Sequence, residues 1–163
     1  MTSAQFASFD YLPVATSQIT PFMETKSQVI EVEAAIYASI NEVWKRWTDP
    51  RYITQWNFAS PEWHCPSAEN DLRVGGRFNY RMEDKAGKMG FDFSGIYTNV
   101  LQHRIIEYRL DDDRFVKIEF LPGADNTMII QSFEAETENS LELQRKGWRL
   151  ILNSFKNFVE ADH

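Results

Sequence analysis

A chain of 163 residues that is 43% hydrophobic and 14% aromatic can build one core and is too apolar to stay disordered. Its net charge of −7 excludes a general nucleic-acid or anionic-membrane partner, since both need a positive field. A single cysteine, Cys65, excludes an internal disulfide, and no apolar run reaches membrane-spanning length, so a reducing, cytoplasmic setting is expected.

Residues 1–22 read as an extension. They are rich in Ser, Thr, Ala and Gln, carry the isolated aromatics Phe6, Phe9, Tyr11 and Phe22, and lack the pattern of a signal peptide. Residues 23–163 read as one domain. Its first element is a strand, because Ile30, Val32, Ala34 and Ile36 alternate with Glu31, Glu33 and Ala35. Ser39, with Glu42 three residues on, opens a helix carrying Ile40, Val43, Trp44 and Trp47 on one face. Asp49-Pro50 ends that helix and starts a short second one bearing Tyr52, Ile53 and Trp56. Asn57 to Asn70, with Pro61, Trp63, His64, Cys65 and Pro66, reads as an irregular loop and the rim of a cavity.

Asp71 to Val74 then reads as a short strand, and Gly75-Gly76 as a turn into the next strand, where Phe78, Tyr80 and Met82 share a face. A polar turn over Asp84 to Lys88 returns the chain through Phe91, Phe93, Gly95 and Tyr97, with Gly95 marking a bulge or bend. Further strands are expected from Arg104 to Leu110, Arg114 to Leu121 and Thr127 to Ala135. From Asn139 to Val159, apolar residues recur at helical spacing (Leu141, Trp148, Ile151, Leu152, Phe155, Phe158, Val159), with Asn139 as cap. Gly147 costs about 1 kcal/mol against Ala in a helix interior, which points to a close backbone approach beside Trp148. The order is that of an α+β domain: a bent antiparallel sheet whose concave side is covered by one long terminal helix. A curved sheet and a straight rod diverge at one end, so an apolar cavity is expected near the short helices.

Several short motifs occur in a characteristic order: Asp49-Pro50 with Trp56, Asp71-Leu72-Arg73-Val74-Gly75-Gly76-Arg77-Phe78, Gly95-Ile96-Tyr97, and Gly147-Trp148. In that order they resemble the activator of the ninety-kilodalton heat-shock protein ATPase (Aha)-like family, within the START-like, or SRPBCC, superfamily. The resemblance runs from about Ser27 to the C-terminus. It implies a helix-grip fold, a curved antiparallel sheet wrapped around a long C-terminal helix, with two short helices after the first strand. The superfamily includes hydrophobic-ligand carriers, polyketide cyclases and chaperone-associated domains. The resemblance transfers no catalytic residue.

The chemistry-bearing residues favour binding over catalysis. His64 and Cys65 are sequence neighbours, whereas a working Cys–His pair meets across a fold, so neither a nucleophile nor a metal site is expected. Asp92 lies between Phe91 and Phe93 and alternation turns it outward, toward solvent or an arginine on the next strand. Arg73 and Arg77 flank the glycine pair and are assigned contacts to the Asp71 region or to turn carbonyls. Gly75-Gly76 is not a phosphate loop, because no Lys-Ser/Thr follows. Inward tyrosines at Tyr80, Tyr97 and Tyr108 offer rings for packing and hydroxyls that seek partners. The expected cavity lining adds Trp56, Trp63 and Trp148, then Phe78, Phe93, Phe120 and Phe133, and finally Ile118, Leu152 and Gln144, with Gln131 as a second amide. The reading is a cofactor-free domain, monomer or homodimer, that binds a small, largely hydrophobic molecule. The alternatives are a cyclase- or hydrolase-like enzyme using a cavity tyrosine with a carboxylate or arginine, and a module acting on a chaperone ATPase.

Overall fold

Alternating burial builds the sheet. In Val29–Ile36 (β1), the side chains of Ile30, Val32 and Ile36 are buried while Glu31 and Glu33 face solvent. The same period runs through Arg77–Asp84 (β3), Ile105–Leu110 (β5), Phe115–Pro122 (β6) and Thr127–Glu134 (β7). The computed structural model describes residues 27–162; the extension expected over residues 1–22, and His163, lie outside them. With Trp63–Asn70 (β2) and Gly90–Leu101 (β4), the described residues form one curled antiparallel sheet of order β1-β7-β6-β5-β4-β3-β2. Two short helices, Ile40–Thr48 (α1) and Pro50–Trp56 (α2), follow β1, and one long helix, Leu141–Glu160 (α3), closes the chain.

The local signals act as chemistry requires. The Ser39 hydroxyl accepts from the Glu42 backbone N–H at the start of α1, and Asp49 caps α2 with Pro50 in its first turn. Three expectations need correction. Asn57 to Asn70 is not wholly irregular: from Trp63 it is an edge strand, whose register shifts between His64 and Ser67, where Pro66 supplies no N–H to the ladder. Asp71 to Val74 is not a strand but the bend of the β2–β3 connection, closed by Gly76 N–H donating to the Arg73 carbonyl, with Gly75 at φ 83°. The cap of α3 is Ser140 rather than Asn139, its hydroxyl accepting from the Leu143 N–H at 3.1 Å; Leu141, expected on the buried face, is exposed.

Gly95 does not itself bulge; the register of β4 against β5 shifts two residues on, between Tyr97 and Asn99. What Gly95 permits is close passage: a Cβ there would collide with the backbone carbonyl of Arg109 and lie 3.1 Å from the Phe78 ring. The C-terminal half of α3 is packed shut, with Leu152, Phe155 and Val159 at 0% exposure. Phe155 meets the Trp47 and Trp56 rings at 4.8 and 4.9 Å. Ser154 donates to the Trp56 carbonyl and Lys156 to the Ala35 carbonyl, fixing the helix to α2 and β1. Further toward its N-terminus, Trp148 lies flat on Phe133, centroids 4.0 Å apart and planes within 11°.

Replacing that ring is expected to cost about 3–5 kcal/mol in Trp148→Ala, measured by denaturant unfolding; a change near zero would mean that α3 is not anchored there. Gly95→Ala is expected to lower stability by more than the few tenths typical of a surface change, because the obstacle is backbone that cannot rotate away. An unchanged unfolding midpoint would contradict that close approach.

Candidate functional site

Around Trp148 and Ile151 of α3, the helix and the sheet leave a space walled by inward strand positions. β3 contributes Phe78, Tyr80 and Met82, β4 contributes Phe93 and Tyr97, β5 Ile106 and Tyr108, β6 Ile118 and β7 Gln131. The short helices and the end of β2 close one side with Trp47, Thr48, Trp56, Asn57 and Asn70, while Trp148 and Ile151 of α3 form the roof. The rings touch in a continuous set: Phe78 meets Tyr108 at 4.7 Å and both Tyr80 and Tyr97 at 5.2 Å, and Phe93 meets Trp148 edge-on at 5.9 Å. The free space among them is about 50 Å³. That holds a few water molecules and falls well short of the roughly 300 Å³ at which drug-sized ligand sites begin.

A second space of about 200 Å³ lies next to it, between Trp63, Phe91 and the Ala59-Ser60 turn on one side and Leu143, Lys146, Gly147 and Leu150 of α3 on the other. Met82 is part of both walls. Its unbranched thioether chain therefore borders both spaces, an inner crevice and an outer groove.

Of the thirteen residues expected to line one cavity, Trp56, Phe78, Tyr80, Phe93, Tyr97, Tyr108, Ile118 and Trp148 face the crevice. The other five do not. Trp63 belongs to the outer groove and pairs with Phe91 at 5.9 Å. Phe120 is taken up by Trp44 and Trp47, at 5.1 and 5.9 Å, and Phe133 by the Trp148 stack. Leu152 is core at 0% exposure. Gln144 spends its amide on the loop before α3, accepting from Glu136 N–H and donating to the Glu136 and Asn139 carbonyls. Trp47, Thr48, Asn57, Asn70, Met82, Ile106 and Ile151 also line the crevice. Helical spacing marks Trp47 and Ile151 as buried, and alternation does so for Met82 and Ile106; nothing in the sequence orients Thr48, Asn57 or Asn70.

The polar atoms here fall into two groups. Tyr97 donates to Asn70 Oδ1 at 2.6 Å, and Asn70 Nδ2 donates to the Thr48 carbonyl at 2.7 Å, so the end of β2 is fastened to α1. Thr48 bonds back to Trp44. By contrast, the Tyr108 hydroxyl and the Gln131 amide, each on a residue 6% exposed, make no hydrogen bond to any described residue. Asn57 Nδ2 is buried without a hydrogen-bond partner, its polar neighbour being the Cys65 thiol.

Among the described residues no charged side chain lines the crevice. Asp92 points outward, with its carboxylate 3.5 Å from Arg81. Arg73 pairs with Asp71, and Arg77 reaches Asp111 rather than the Asp71 region. His64 lies 3.8 Å from Glu83 on the sheet surface, and Cys65 is buried, its thiol pushed up to about 11 by that burial. Among the described residues no cluster of His, Cys, Asp or Glu could hold a metal.

Burial drives the hydroxyls of Tyr80, Tyr97 and Tyr108 well above the ordinary phenol range; hydrogen bonding to Tyr80 and Asn70 offsets part of this for Tyr97. These groups stay neutral in the fold at pH values where they ionise in the unfolded chain, around pH 10. Their contribution is therefore complete below pH 10 and is lost as pH rises beyond it, toward the raised native values. Alkaline titration of tyrosinate absorbance is expected to show these tyrosines appearing only with unfolding. Smooth ionisation of every tyrosine near pH 10 in the folded protein would contradict their burial.

Residues 37–160 match the family described as "Activator of Hsp90 ATPase homolog 1-like protein". The chain is 40% identical to an AHSA1-like protein from Aeromonas hydrophila solved by NMR, over 83% of this chain and 94% of that one, with a TM-score of 0.79. It is 48% identical to a protein from Cytophaga hutchinsonii, over 82% and 92% of the two chains, at TM-score 0.71. A protein from Chromobacterium violaceum, at 23% identity, 82% and 98% coverage and TM-score 0.73, shares the fold. No curated protein matches the chain. No helix among the described residues is long and apolar enough to cross a membrane.

Proposed function

The chain belongs to the Activator of Hsp90 ATPase homolog 1-like family, and from that premise we propose that it binds a small, largely apolar molecule between the curled sheet and α3. The observation that supports this is the contrast along α3. From Leu152 onward it is sealed against α1, α2 and β1, whereas around Trp148 and Ile151 it roofs an aromatic-lined space that its own side chains leave unfilled. At 50 Å³ the crevice does not hold such a molecule without movement of its wall. That movement is placed at Met82, whose flexible side chain borders both this space and the 200 Å³ groove. Affinity would come from apolar ligand area removed from water, at roughly 25 cal/mol per Å² before ordering costs.

The lining disfavours acid–base catalysis. A cyclase- or hydrolase-like mechanism needs a proton acceptor tuned near the working pH. The crevice offers no carboxylate, histidine, lysine or arginine, and its tyrosines are shifted away from that range rather than toward it. Burial keeps them protonated, as hydrogen-bonding groups. The name of the family supports a second reading, an action on a chaperone ATPase, for which the test is a change in turnover of that ATPase on adding this protein.

Titrating a panel of apolar small molecules, including steroids, flavonoids, fatty acids and polyketides, is expected to change Trp fluorescence and raise the melting temperature for at least one class. Trp47, Trp56 and Trp148 line the space and act as reporters. A flat response across the whole panel would remove the binding proposal.

A further inference from the structure

The crevice is aromatic but not uniformly apolar, and what its polar groups lack specifies a ligand. Tyr108 and Gln131, each 6% exposed, line the space, and neither the Tyr108 hydroxyl nor the Gln131 amide bonds to another described residue, so both are open to whatever occupies it. Their positions converge in the sheet: Tyr108 pairs with Val116 across β5 and β6, while Gln131 pairs with Ile118, one inward position along the same β6 strand. Asn57 Nδ2, enclosed beside the Cys65 thiol, is not open to the space and takes no part in this set. An apolar guest that displaces water from the Tyr108 and Gln131 groups leaves them unmet at a cost of about 1–3 kcal/mol each, so an occupant that satisfies them is favoured over an apolar one of equal shape.

The set also fixes the sign of charge. Among the described residues no cationic or anionic side chain lines the space, and pairs such as Arg81–Asp92 lie on the outer face of the sheet. An ionised ligand would shed its hydration with no counter-charge in return. Resting on the binding reading above, we propose that the crevice selects a neutral aromatic molecule with a hydroxyl or carbonyl at its rim, read by the Tyr108 hydroxyl and the Gln131 amide. The ring occupies the space vacated when Met82 turns into the outer groove. The polar edge points toward β5 and β7.

Three probes of nearly equal shape separate the possibilities: p-xylene, p-cresol and p-toluate, titrated into the full chain at neutral pH. Binding is followed by Trp fluorescence, and isotope-edited NOEs from the p-cresol methyl locate it. The expected order is p-cresol tighter than p-xylene by about tenfold or more, with p-toluate weaker than both. In Gln131→Leu and Tyr108→Phe, which keep the shape of the wall, the p-cresol advantage should shrink while p-xylene binding holds. If p-xylene matches p-cresol, if p-toluate binds as tightly as p-cresol, or if both variants retain the full advantage, the polar selection is overturned and only apolar binding stands. NOEs placing p-cresol away from Tyr108 and Gln131 overturn it without recourse to any variant. If none of the three binds, the binding reading fails with it.

Discussion

The stack of Trp148 on Phe133 is where the helix and the sheet become one body. It divides α3 into two regimes. On its C-terminal side, Leu152, Phe155 and Val159 are buried without residue, and side-chain bonds from Ser154 and Lys156 to backbone carbonyls fix the helix against α2 and β1. On its N-terminal side, Gly147 and Leu143 face a groove rather than a strand, and the sheet curls away beneath. A straight helix crossing a curled sheet can touch it closely in only one region, and the aromatic stack sets which. The space proposed to take an internal occupant lies beside that contact.

Charge is distributed to match. The chain is acidic overall, and several arginines are engaged in exposed pairs on the outer face or at turns: Arg73 with Asp71, Arg77 with Asp111, and Arg81 with Glu83 and Asp92. Exposed pairs of this kind contribute little stability, about 0–1 kcal/mol each. Their absence from the crevice matters more. It leaves the tyrosines in surroundings that disfavour ionisation.

Strand alternation and helical periodicity carried most of the architecture. The inward faces of β1, β3, β5, β6 and β7, both short helices with their caps, and the buried stripe of α3 followed from residues read two or about four apart. The failures have a common origin. β2 is an edge strand broken at Pro66, and half its side chains are polar, so its pairing with β3 leaves no periodic trace. Whether Phe120 and Phe133 face a space or another ring depends on which of Trp44, Trp47 and Trp148 reaches them first, a tertiary choice. Gln144 was indistinguishable from Gln131 by residue type. One faces the loop before a helix and is fully bonded; the other lies in mid-sheet with its amide unmet. Burial was legible for both ends of the crevice, and orientation was not.

The most direct test is a native mass spectrum of the protein purified from its own host without denaturation. A spectrum with a discrete added mass, lost on acid unfolding and absent when Met82→Trp fills the space, is the result this account predicts. Only the bare polypeptide mass, with a Met82→Trp variant that folds and behaves identically, would contradict the idea that the space under α3 is kept for a guest.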